Sequence, residues 1–134
     1  MEALLSRVDA QIRECRLPWV RNGNAVRVEL TRHGRRHTVH LARKGDRYLF
    51  RAVVAGAALI GGNDARRREL AYRIWRRNAL KSVILFTIDG RDRVIGLVEQ
   101  PVASMHDAEL RSYVETLAKE CDRFEYVLTG EDSR

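Results

Sequence analysis

Between Ala25 and Ala55 the chain alternates apolar and polar residues three times over, with only a few turn residues between the runs. AVRVEL places Val26, Val28 and Leu30 on one face and Arg27 and Glu29 on the other. HTVHL resumes the alternation through His37, Val39 and Leu41, and RYLFRAVVA makes a third run. The connections RHGR and KGDR are far too short for a crossover helix, so consecutive strands must return as antiparallel hairpins. A sheet of this kind needs cover from elsewhere in the chain.

The helices that could supply it are legible on either side. Leu4, Leu5, Val8, Ile12 and Cys15 follow helical spacing, Pro18 ends that helix, and WVRNGN reads as a turn. A second helix follows GGND, with Asp64 as N-cap and Leu70, Ala71, Ile74 and Asn78 as its inward stripe, Trp75 at the edge. SVILFTI and RVIGLVEQ are two further strands joined by DGRD and closed by Pro101; SVILFTI is apolar on both faces, which suits a central strand. Ser104 and Asp107 resemble a capping box. Behind them Leu110, Tyr113, Val114, Leu117, Cys121, Phe124 and Leu128 form one long stripe, and Gly130 is the natural stop. The expected order is α-β-β-β-α-β-β-α: an α+β domain with a five-stranded antiparallel sheet and three helices, spanning 1–130, with 131–134 as a frayed end.

Composition narrows the class. The chain has 134 residues and a net charge of +7, with 45 % hydrophobic and 32 % charged residues, as in a globular domain rather than a disordered one. No apolar run approaches the ~20 residues of a membrane span, and the N-terminus lacks a signal-peptide pattern, so a cytoplasmic protein without a membrane partner is expected. Cys15 and Cys121 both fall on apolar stripes and read as buried thiols. Charge is unevenly spread. Residues 1–60 carry twelve Lys/Arg against five Asp/Glu, a net +7; residues 61–81 carry seven against two, +5; residues 82–134 carry six against eleven, −5. Such polarity attracts an acidic partner or favours self-association with opposite ends meeting.

The element order, with ELAYRIWRRNAL in the middle helix and LAKECDRFEYVLTG at the end, resembles the YbjN family, proteins described as bacterial sensory-transduction regulators. The topology is also similar to the class I type III secretion chaperones, small homodimers that hold segments of client proteins. The resemblance implies a non-enzymatic, dimeric protein-binding domain, and implies no catalytic residue. Three helices also leave part of a five-stranded sheet uncovered, which a second copy would bury. Secretion chaperones are typically acidic; this chain is basic.

Chemical motifs are sparse. His37 and His40 are three apart on a strand and so point to opposite faces, unable to share a metal; adding His33 would need an unusual fold-back. There is no GxSxG elbow and no phosphate-binding GxxxxGK[ST] loop. No cofactor, metal or catalytic residue is assigned. The strongest functional feature is DARRRELAYRIWRRNALK. Arg66, Arg73 and Arg77 project within about 40° of one another, a basic line about 16 Å long, with Arg76 and Tyr72 on the outer face. Glu69 and Arg73 are spaced as an i,i+4 pair. Arg66, Arg73, Arg76 and Arg77 are therefore the candidate partner-binding residues. The line reads as a solvated face, as a contact for an acidic protein or a second copy, or as part of a nucleic-acid-binding module built from helix 65–78 and the first hairpin. Tyr48 and Phe50 have the spacing of a base-stacking pair, with Leu49 and Val53 on the alternate face.

Overall fold

The computed structural model describes residues 1–30 and 34–130. The expected tight turn through Arg32 and His33 and the expected frayed end at 131–134 lie outside the described residues. Three helices, α1 (Glu2–Cys15), α2 (Asp64–Asn78) and α3 (Asp107–Thr129), accompany one antiparallel sheet. Its strands are β1 (Trp19–Asn22), β2 (Ala25–Glu29), β3 (Arg36–Lys44), β4 (Arg47–Ala55), β5 (Leu85–Ile88) and β6 (Val94–Pro101), in spatial order β1-β2-β3-β4-β6-β5.

The sheet thus has six strands rather than five. The stretch expected to be a turn, WVRN, pairs with β2 through Trp19↔Val28 and Arg21↔Val26, and the true turn is Gly23–Asn24, with Gly23 at φ +60°. A four-residue strand offers sequence analysis only two inward positions. Its stability comes from partners remote in sequence: Trp19 is buried against the core, and Arg21 donates to both carboxylate oxygens of Asp9 on α1 (2.6 and 2.9 Å).

SVILFTI is a second correction. Only Leu85–Ile88 forms a strand, and it lies at the sheet edge, not the centre. Phe86 turns inward to meet Phe124 edge-on, centroids 4.9 Å apart, while Leu85 on the opposite face is 56 % exposed. The edge is closed by a side chain. Asn78 of α2 donates from Nδ2 to Phe86 O (2.9 Å) and accepts from Phe86 N–H at Oδ1 (2.8 Å), replacing the neighbouring strand that β5 lacks.

α3 lies across β2, β3, β4 and β6, α1 packs on β1 and α3, and α2 packs on β5. Val26, Val39, Phe50, Val54, Val94 and Val98 form the floor; Leu110, Val114, Leu117, Cys121 and Phe124 of α3 meet them, as its stripe predicts, with Tyr113 and Leu128 half-buried. Gly96 lets the helix come this close. A Cβ there would stand 2.7 Å from Cys121 Sγ and 3.2 Å from Leu117 Cδ1. Burial pushes the Cys121 thiol pKa well up, so the thiol stays protonated, as expected of a core cysteine. Cys15 departs from expectation: it is exposed, and Gln11 takes the buried place on α1 beside Leu4 and Val8.

Two caps also differ from expectation. The α2 N-cap is Asn63, whose Oδ1 accepts from Arg66 N–H at 3.0 Å, with Asp64 one position inside. The α3 box is formed by His106 and Glu109, whose carboxylate accepts from His106 N–H at 3.0 Å. In both cases the capping side chain is displaced by only a residue or two, too little for the sequence pattern to resolve.

Leu117→Ala should cost about 2–5 kcal/mol, because it empties a fully buried site under α3. Lys119→Ala, at an exposed position on the same helix, should stay within about 0.5 kcal/mol. Urea melts of the two variants check this ranking.

Candidate protein-binding surface

α2 buries little: Leu70 and Ile74 are its only buried residues, and Ala71, expected to face inward, is exposed. A helix packed on a single edge strand needs only a narrow stripe. Its flanks are therefore free for other contacts, and the two flanks differ.

One flank carries the arginines. Arg77 reaches across to α3, where Nη2 donates to Glu120 Oε2 at 2.7 Å and the guanidinium sits 5.4 Å from the Phe124 ring centre and 5.9 Å from that of Phe86. Arg73 donates to the carbonyl of Val127 at 3.2 Å near the end of α3, rather than pairing with Glu69. Arg66 is exposed at the start of the same flank. The predicted line of Arg66, Arg73 and Arg77 thus exists, but it looks onto α3, and Arg77 is part of the packing. Arg76 lies off that line, 6.0 Å from the Tyr72 ring, and also borders the space between the helices beside Val127.

The crevice between the helices contains three adjoining hollows of about 310, 300 and 310 Å³. The first and second share Arg73; the second and third share Arg77 and Leu80. Leu70, Phe124, Val127 and Leu128 supply apolar walls.

The other flank is aromatic. Tyr72 and Trp75 stack with centroids 6.0 Å apart and are 57 % and 67 % exposed. The exposed apolar run continues through Leu80 and Val83 to Leu85. Sequence analysis placed Trp75 beside the buried stripe. Its helical phase, about 100° from Ile74, was the available signal that it faces away.

Elsewhere several basic residues are matched by nearby groups. Arg27 lies 3.7 Å from Glu29, Arg43 donates to Gly45 O, and Arg35 pairs with Asp122. Tyr48 and Phe50, spaced for base stacking, face the core and are buried. His37 and His40 do point to opposite faces: His37 is buried and His40 exposed. On that second face burial, then Arg51 and Arg93, hold the His40 pKa below its usual value.

His37 instead meets α3. Its Nε2 lies 2.6 Å from Val53 O, and its Nδ1 lies 3.9 Å from Asp122 Oδ1. His37, Asp122 and Glu125 are all buried and offer ligand atoms within 4.8 Å of one another, which could in principle hold a cation. The Arg35 guanidinium already occupies Asp122, placing a fixed positive charge where a metal would need a free carboxylate. We read the group as an ion network pinning β3 to the last third of α3. Sequence analysis missed it because Asp122 and Glu125 look like outer-face residues of a charged helix.

No family model matches the chain, and a search of curated proteins finds no relative. Solved structures do match. A chain of the ExsC–ExsE complex superposes with a TM-score of 0.58 at 16 % identity, covering 95 % of this chain and 94 % of that one. The fold is similar to that of the type III secretion chaperones. The Yersinia pestis type III secretion chaperone SycH in complex with a stable fragment of YscM2 gives a TM-score of 0.55 at 19 % identity, covering 88 % and 96 %. The HopA1–SchA chaperone–effector complex gives 0.59 at 11 %, covering 93 % and 97 %. At these identities the likeness is one of fold. It agrees with the topology expected from the sequence, while the YbjN resemblance gains no family-level match.

Asp122→Ala removes the carboxylate bonded to Arg35 and leaves that guanidinium and His37 facing a buried void. Because Arg35 is partly exposed, the loss should fall near the lower end of the about 3–5 kcal/mol seen for broken buried pairs. Chemical denaturation of the variant measures it.

Proposed function

We propose that this domain is a non-enzymatic binding module that holds segments of other proteins, in the manner of a chaperone or a YbjN-like regulator, and that it works as a homodimer. The observation that carries this reading is the exposed apolar run from Tyr72 and Trp75 through Leu80 and Val83 to Leu85, set on a fold similar to chaperones solved with protein partners. Isolated exposed leucines are ordinary, but five large apolar side chains along one helix flank and the adjoining edge strand form a patch. Covered by its own copy about a two-fold axis, the patch buries on the order of 1,000 Å² in all, the size at which specific interfaces begin. Trp75 and Tyr72 are the residue types that anchor such interfaces.

The arginines of α2 support an acidic partner. Arg66, Arg68, Arg73 and Arg76 have no carboxylate within ion-pair distance among the described residues, whereas Arg7, Arg21, Arg35, Arg67 and Arg77 do. Positive charge that the fold has not used is available to a partner.

Light scattering at micromolar concentration should give a dimer for the wild type. Trp75→Glu should give a monomer with an unchanged far-ultraviolet spectrum. A wild type that stays monomeric over the accessible range rules out the homodimer. The binding role is tested by capture from the native cell followed by re-forming the complex from two purified proteins.

A further inference from the structure

We infer that the crevice between α2 and α3 seats an acidic peptide segment with apolar side chains, supplied by the partner protein. The inference rests on the protein-binding reading above and specifies its ligand. The three hollows lie in a row along α2 from Arg66 to Leu80, fourteen residues apart, or about 21 Å of helix. An extended chain of about six or seven residues covers that length.

The channel stays open for a structural reason. α2 is anchored on β5 at one edge of the sheet, and α3 lies over β2, β3, β4 and β6. The bridge between them is made by the long side chains of Arg77 and Arg73, reaching Glu120 and the Val127 carbonyl. Apolar residues and guanidinium groups together give the crevice a two-part chemistry. Phe124 and Val127 offer a surface to aliphatic side chains, and Val127 is 52 % exposed.

The charge on the rim selects the ligand's sign. Arg66, Arg73 and Arg76 face the channel with no carboxylate partner among the described residues. Of the two glutamates along it, Glu120 is already bonded to Arg77 and 3.4 Å from Arg123. Glu69 alone opposes three guanidinium groups. Carboxylates suit this fork geometry, and the apolar floor strengthens the attraction by thinning the water around it. Nucleic acid fits less well, because the two rings that line the hollows, Phe124 and Phe86, are both covered by the Arg77 guanidinium.

The test uses labelled nine-residue peptides and fluorescence anisotropy on the full chain. An alternating Glu/Leu peptide should bind saturably, at least tenfold more tightly than a Lys/Leu peptide and than a Glu/Ser peptide. The combined variant Arg66→Glu, Arg73→Gln, Arg76→Glu should lose at least tenfold for the Glu/Leu peptide while keeping its melting curve and oligomeric state. Arg77 is left intact because it holds the helices together. Val127→Ser should weaken Glu/Leu binding and leave the weak Glu/Ser binding unchanged. Equal affinity for Glu/Leu and Glu/Ser peptides, undiminished binding by the arginine variant, or tighter binding of a random single-stranded oligonucleotide would each overturn the assignment. If the arginine variant still binds the purified native partner as wild type does, the crevice is not the seat and the binding role stands. A wild type that re-forms no complex with any purified partner fails the broader reading instead.

Discussion

The close approach of α3 to the sheet at Gly96 is the contact on which the rest of the domain is arranged. With no side chain at that point of β6, Cys121 and Leu117 settle directly over the strand, and the helix can lie across four strands at once. The packing has little slack, since deep cores tolerate neither a missing methylene nor an extra one. It also fixes where everything else can go. Because α3 takes the centre, α1 is left with β1, and α2 must find its place at the β5 edge. That sideways position is why α2 has two exposed flanks.

The electrostatic layout follows the same geometry. The basic front and acidic back of the sequence are largely reconciled inside one molecule: Arg7 with Asp107, Arg35 with Asp122, Arg47 with Glu99, Arg67 with Asp92 and Arg77 with Glu120 all join the two halves. Surface pairs of this kind contribute little individually. Their pattern is informative because it shows which cations folding has matched, and Arg66, Arg68, Arg73 and Arg76 of α2 are among those with no carboxylate partner in the described residues.

Much of this was legible in local pattern. The alternation through Val26, Val39 and Phe50 and the long stripe from Leu110 to Phe124 depend on period alone, and period is what a single sequence displays. What was hidden depends on distant partners. β1 exists because Trp19 finds the core and Arg21 finds Asp9, neither of which its own four residues announce. β5 looked central because it is apolar on both sides, yet one of those sides is a patch left open at the edge. The arginine line was correctly phased, but helical phase gives a direction without saying what stands there. Arg77 was counted as a surface residue and turned out to be packed between two phenylalanines and a glutamate. Trp75 reads as the edge of the inward stripe and faces out.

The Asn78 amide on Phe86 has a consequence for growth in one dimension. A sheet open at both margins can recruit copies of itself without end, and filaments arise that way. Here one margin is blunted by a carboxamide that satisfies both backbone groups of Phe86 on its four-residue edge strand. A second copy adding its strand here would first have to displace that carboxamide, which disfavours edge-to-edge growth of the sheet.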